Sequence, residues 1–145
     1  MTERQDGPVT GTDTVTGESR GKGVIVAVRA IRGAIQVGAD DRQEILDGTA
    51  ELVTQVMERN GLSTDQVISV IFSATPDLRA EFPALAARSL GFEEVPLLCC
   101  TEISVPGAMP RVVRLMMHLE TGLPRARIQH VYLRGAAALR LDIAQ

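Results

Sequence analysis

Four residues combine chemically useful side chains with apolar neighbours. Arg114 lies inside "VVRLMMHLE" (112–120) and Arg32 inside "VIVAVRAIRGAI" (24–35). Glu102 ends "VPLLCCTEI" (95–103), and Tyr132 lies inside "ARIQHVYLRGAAALRL" (126–141). Arginine is rarely buried without an anionic partner. Two readings account for the set. In one, Arg114 and Glu102 neutralise each other as a buried pair, with Arg32 and Tyr132 at sheet edges. In the other, the four line a pocket for an anionic ligand, with two guanidinium forks and a phenol as donors. Two cations facing one carboxylate leave positive charge over for a ligand.

Other chemistries are harder to assemble. Ser73, Ser89, Ser104, Cys99 and Cys100 have no neighbouring His/Asp relay to activate them. His118 and His130 lack an acidic or thiol partner at metal-ligand spacing. "RGKG" and "PGAMP" are weak glycine signals and make no phosphate loop. Cys99 and Cys100 are adjacent, so on a strand they point to opposite faces, which is poor geometry for a disulfide. They are expected to be buried small hydrophobes. A reaction run by these residues needs no nucleophile, metal or cofactor.

The elements that must position the set are readable from periodicity. "VIVAVRAIRGAI" is β-branched and apolar, a strand with Arg32 on the same face as Val28 and Ala30. Asp40 or Asp41 can cap the next helix, where Ile45, Leu46, Thr49, Leu52, Val53, Val56 and Met57 recur at helical spacing and Gly61 ends it. "STDQ" (63–66) has a capping-box pattern for one more turn. "VISVIFSA" (67–74) is a second strand, followed by "TPDLRAEFPALAARSLG", a turn and short helix closed by Gly91. Residues 95–103, 111–120 and 126–141 supply three further strands, the last bent at Gly135. The expected fold is α+β: a five-stranded mixed or mostly antiparallel sheet with two principal helices on one face. The other face is too apolar to meet water, which points to self-association.

Composition sets the frame. The chain has 145 residues, 45% hydrophobic and 23% charged, as expected for one globular domain. Net charge is −3 with pI near 5.4, which argues against a general nucleic-acid binder. Fourteen of the fifteen basic residues are Arg, a bias attributable to genomic base composition. Residues 1–23 are Thr, Gly, Ser and charge, a composition expected for a flexible tail preceding a single domain over 24–145. No apolar run approaches the ~20 residues of a membrane span. The start lacks the apolar region of a signal peptide, so a cytoplasmic location is expected.

In order and spacing, "VRAIRGAIQV", "SATPDLRAEFPALAAR", "VPLLCCTEISVPGAMPRVVRLMMHLET" and "HVYLRGAAALR" resemble the monofunctional chorismate mutases of the trimeric α/β type, across roughly residues 27–142. That class is unrelated in fold to the all-helical chorismate mutases. The resemblance implies a homotrimer whose sheets form a central pseudo-α/β barrel, with active sites between subunits. It implies chorismate as substrate, rearranged to prephenate without a cofactor in phenylalanine and tyrosine synthesis. By the same resemblance, Arg32 and Tyr132 bind a substrate carboxylate, Arg114 faces the ether oxygen and Glu102 holds the ring hydroxyl. Leu98, Cys99, Cys100 and Thr101 line the site, and Leu139 and Arg140 form its C-terminal edge. Phe82, Ala84 and Arg88 match a flap supplied by the neighbouring subunit. Leu85 stands where relatives often carry Lys, and Leu98 where they often carry Thr, so the rim is less polar. Two other classes share the interface-arginine logic: a trimeric imine or enamine deaminase, and a non-catalytic binder of a small carboxylate metabolite.

Overall fold

The computed structural model describes residues 25–140; the expected tail at 1–23 lies outside the described residues. Its first strand, β1 (Ala27–Gln36), leads to helix α1 (Arg42–Arg59), strand β2 (Val67–Ala74) and helix α2 (Ala84–Arg88). Strands β3 (Leu97–Thr101), β4 (Val112–Thr121) and β5 (Val131–Leu133) follow. The sheet order is β3-β2-β4-β1-β5. β4 runs antiparallel to both β1 and β2, whereas β3 and β5 pair parallel to their neighbours, so the sheet is mixed.

Local chemistry explains the long helix. Asp41 caps it by accepting the Glu44 N–H at 3.0 Å, which satisfies one of the orphan donors of the first turn. Ile45, Gly48, Thr49, Leu52, Val53 and Val56 form its buried stripe. Gly48 permits a close helix–sheet approach, because a Cβ there would sit 2.6 Å from Val37 Cγ1. Gly61, at φ +59°, takes the left-handed conformation just beyond the C-cap Asn60.

Alternation along the strands divides the sheet into two faces. Ile31, Ile35, Val70, Phe72, Val113, Leu115, Met117 and Leu119 point under the helices and form the core with Ile45, Leu52, Val53 and Val56. The opposite face carries Val28, Ala30, Arg32, Ser73, Arg114 and Met116, in phase with Cys100 and Tyr132.

One expectation needs correction. The last strand is three residues, not sixteen. Arg125–Arg127 and Arg134–Leu139 are 3₁₀ turns, and Arg134 breaks the extended run by adopting φ +53°. The second helix is short, as expected, at five residues. No helix among the described residues is long and apolar enough to cross a membrane.

Candidate active site

Arg114 sits at the centre of the open face because register puts it there. Its β1 partner is Ala34, and its β2 partner is Ser73. Ser73 in turn faces Cys100 on β3, and Ala34 faces Tyr132 on β5. One row therefore runs Cys100–Ser73–Arg114–Ala34–Tyr132 across all five strands. Arg32, two residues from Ala34, belongs to the next row with Met116, Ile71 and Leu98.

Glu102 follows β3 and extends its ladder by donating its N–H to the Ala74 carbonyl at 2.9 Å. Its carboxylate receives Arg114 Nε on both oxygens, at 3.1 and 3.2 Å. The Ser73 hydroxyl donates to the same carboxylate at 2.7 Å. The pair uses only Nε, so both terminal amino groups of Arg114 remain as donors for a ligand. The ion pair exists, but it is not the sealed internal pair of the first reading. The Arg114 side chain is 40% exposed and that of Glu102 18%, and both line an open hollow of about 380 Å³. Tyr132 does lie on the edge strand β5, whereas Arg32 lies on β1, between β4 and β5, just short of Gly33, where the β5 ladder begins.

The "SATPDL" segment acts on this centre from behind. Thr75 exchanges two bonds with Val112: its Oγ1 accepts the Val112 N–H, and its own N–H donates to the Val112 carbonyl, both at 3.0 Å. The Asp77 carboxylate accepts the Arg111 N–H at 3.0 Å and helps hold that residue at φ +54°. Left-handed backbone costs a non-glycine residue about 1–2 kcal/mol. The segment thus pins the start of β4, two residues before Arg114.

A second group gathers at the other edge. Arg32, Arg140 and His130 share an electrostatic neighbourhood: burial first, then the Arg32 and Arg140 charges, hold His130 below its ordinary 6.5. Tyr132 is buried and packs with Ala34, Val112 and Ala136, with Leu139 and Met109 alongside.

The third group faces elsewhere. Phe82, Ala84, Leu85, Arg88, Leu98 and Cys99 line a hollow of about 400 Å³ beside α2. Phe82 also reaches, with Cys99, Cys100 and Thr101, an adjoining hollow of about 310 Å³. Cys99 is half-buried beneath the helices and burial raises its thiol pKa, whereas Cys100 is exposed on the open side. Expecting both cysteines to be buried failed for Cys100, because β3 is an edge strand.

In the sequence Ser73 suggests only a nucleophile and His130 only a metal ligand, whereas the fold makes both partners of the set. A hydroxyl inside an apolar strand and a histidine two residues before Tyr132 were the available signals. Asp77 was passed over as a turn residue, and Asn60 gave no signal of its own.

Comparison with known proteins places these features in context. A family model described as chorismate mutase type I matches residues 28–143. A chorismate mutase of Thermus thermophilus is 46% identical over 117 residues, 80% of this chain and 96% of the relative. One from Bacillus subtilis is 41% identical over 118 residues, 81% and 93%. A solved chorismate mutase from Clostridium thermocellum superposes with a TM-score of 0.75 at 44% identity, covering 76% of this chain and 98% of that one.

Proposed function

Because this chain belongs to the type I chorismate mutase family, an isomerase family of aromatic biosynthesis, we propose that it converts chorismate to prephenate in a site shared between two copies of the chain. The geometry of Arg114 carries the reading: a guanidinium anchored to Glu102 through Nε alone, which leaves its terminal amino groups as donors for a ligand. In the Claisen rearrangement the ether C–O bond breaks as a C–C bond forms, and no proton or group leaves the substrate. Negative charge grows on the ether oxygen when bond breaking runs ahead. A cation already fixed at that oxygen stabilises the transition state more than the ground state, and it loses little to reorganisation.

Arg32 and Tyr132 take a substrate carboxylate, and Glu102 accepts the ring hydroxyl with the carboxylate orientation that Ser73 and Arg114 set. Holding the enolpyruvyl arm folded over the ring supplies the orientational part of the rate enhancement. No covalent intermediate is involved. Cys99, with its pKa raised by burial, is a neutral thiol near neutral pH.

The Arg114 group and the Phe82–Arg88 group occupy different parts of one chain. A second copy brings its Phe82, Ala84 and Arg88 against the first copy's Arg114. The open face also favours assembly. Val28, Leu98, Met116 and Ile71 are 58%, 57%, 40% and 39% exposed, an apolar surface that three copies cover by closing their sheets around a common axis. Leu139 and Arg140 then close the C-terminal side.

Following chorismate loss, with identification of prephenate as product, tests the activity. Unchanged chorismate in the presence of well-folded protein overturns it. Light scattering tests the assembly, with a trimer expected and an active monomer as the contrary result.

A further inference from the structure

β5 is too short to serve all of β1. Its ladder with β1 starts at Gly33 opposite Val131, one residue beyond Arg32. The Arg32 N–H therefore has no strand carbonyl on that side, and it donates instead to His130 Nδ1 at 2.9 Å. The imidazole caps the end of the ladder, which requires an unprotonated Nδ1.

His130 is itself held from the helical layer. Asn60, the C-cap of α1, is buried and clamps the preceding residue on both sides. Its Nδ2 donates to the carbonyls of Gln129 and Val56, each at 2.9 Å, and its Oδ1 accepts the Gln129 N–H at 2.8 Å. Hydrogen bonds thus tie the end of α1 through Asn60 to Gln129, and its chain neighbour His130 ties on to the backbone of Arg32.

We infer that His130 is a positioning residue for Arg32: its Nδ1 fixes the main chain from which the Arg32 guanidinium reaches a substrate carboxylate, and Asn60 holds His130 in place for that task. The inference rests on the carboxylate-binding role proposed for Arg32. A long side chain amplifies small rotations at its Cα, so a fixed amide narrows the volume its guanidinium samples. The surroundings keep the ring neutral. Burial opposes its protonation, and the Arg32 and Arg140 charges add to this. The hollow beside it is lined by Arg29, His118 and Arg125 together with Val28, Ala30 and Ile128, and no carboxylate lines it to draw a proton onto the ring.

The test compares full-length wild type, His130→Leu, His130→Asn and Arg32→Ala at neutral pH, with chorismate as substrate. Asn Oδ1 stands where His Nδ1 stood and can accept the Arg32 N–H; Leu cannot. His130→Leu is expected to raise KM roughly tenfold, with kcat changed by less than about twofold, the pattern of lost ground-state positioning. His130→Asn is expected to bring KM back to within roughly threefold of wild type. Amide hydrogen exchange at Arg32 gives a readout independent of turnover: fast in His130→Leu, and slow in wild type and His130→Asn.

If Arg32→Ala leaves KM unchanged, the carboxylate role of Arg32 fails. If Arg32→Ala raises KM while His130→Leu does not, the positioning inference alone is overturned. Equal exchange at Arg32 in all three proteins also overturns it. Should His130→Leu not fold, nitrogen NMR of the wild-type imidazole decides, and a protonated Nδ1 at neutral pH is the contrary result.

Discussion

The two faces of this sheet are built from the same strands, one residue apart, and they do different work. Beneath the helices, Ile31, Ile35, Phe72 and Met117 are wholly buried within one apolar cluster. On the open side, Arg32, Ser73, Arg114 and Cys100 alternate with Ile71, Leu98 and Met116. The closed face stores stability, because its groups lose their contact with water within one chain. The open face keeps groups that stay in reach of solvent, and in the proposed reading their remaining partners are substrate and neighbouring copies of the chain. The sheet can thus carry solvated charge on one face without placing it in the core.

Substitutions on each face sharpen that division. The largest effect on stability belongs to the closed face. Phe72→Ala removes a fully buried ring and is expected to cost about 3–5 kcal/mol in denaturant unfolding. A loss below about 1 kcal/mol would mean the core lies elsewhere.

Arg114→Lys should show the opposite pattern. Lysine keeps the charge but loses the fork, so kcat is expected to fall roughly 10²–10³-fold, or about 3–4 kcal/mol, with a smaller change in KM. Folding should change by less than about 1 kcal/mol, because the pair with Glu102 is open to solvent. A neutral isostere such as citrulline should be worse still in kcat. Unfolding, or an effect on KM alone, would make Arg114 a structural partner or a binding handle.

Ser73→Ala tests a weaker link on the same face. It removes one of the bonds that orient Glu102, and kcat/KM is expected to fall roughly tenfold. Ser73→Thr should recover most of the loss, since a hydroxyl on a β-branched side chain suits a strand. An alanine variant with unchanged kinetics would remove Ser73 from the site.

His130 links stability to pH in a defined direction. Its folded pKa lies below the ordinary 6.5, so the unfolded chain binds more protons as pH drops past that value. Its contribution to stability is therefore present above about pH 6.5 and declines as pH falls through that value towards the lower folded pKa. Unfolding curves measured across this window should show His130→Asn losing part of the slope; an unchanged slope would assign the pH dependence to other groups.

The smallest effect is expected at Cys99. Its thiol is protonated near neutral pH, so Cys99→Ala should keep kcat within roughly tenfold of wild type. Abolished turnover in folded protein, or a trapped thiol adduct, would overturn the pericyclic mechanism.

Much of the scaffold was legible because its determinants are local. Asp41, Gly61 and the Ile45–Val56 stripe specify α1 through contacts within a few residues, and apolar runs specify β1, β2 and β4. Strand alternation placed Arg32 beside Val28 and Ala30. β5 was overextended because its apolar content continues while the backbone turns at Arg134, in a 3₁₀ segment that an ion pair from Arg134 to Glu51 ties to α1.

The chemical inventory of the site was in the sequence as well: two arginines, a carboxylate and a phenol amid apolar residues, with no nucleophile set up by a base. Which of them meet was not. Ser73 reaches Glu102 across 29 positions, Asn60 reaches Gln129 across 69, and Arg32 reaches His130 across 98. These pairings follow from strand order and register, which bring distant segments together through the burial of a whole face. A local pattern records which face a residue occupies; only the folded sheet decides who stands opposite. Hydrogen bonds and ion pairs act over a few ångströms, so that decision turned separate polar residues into an anchored cation and a braced arginine.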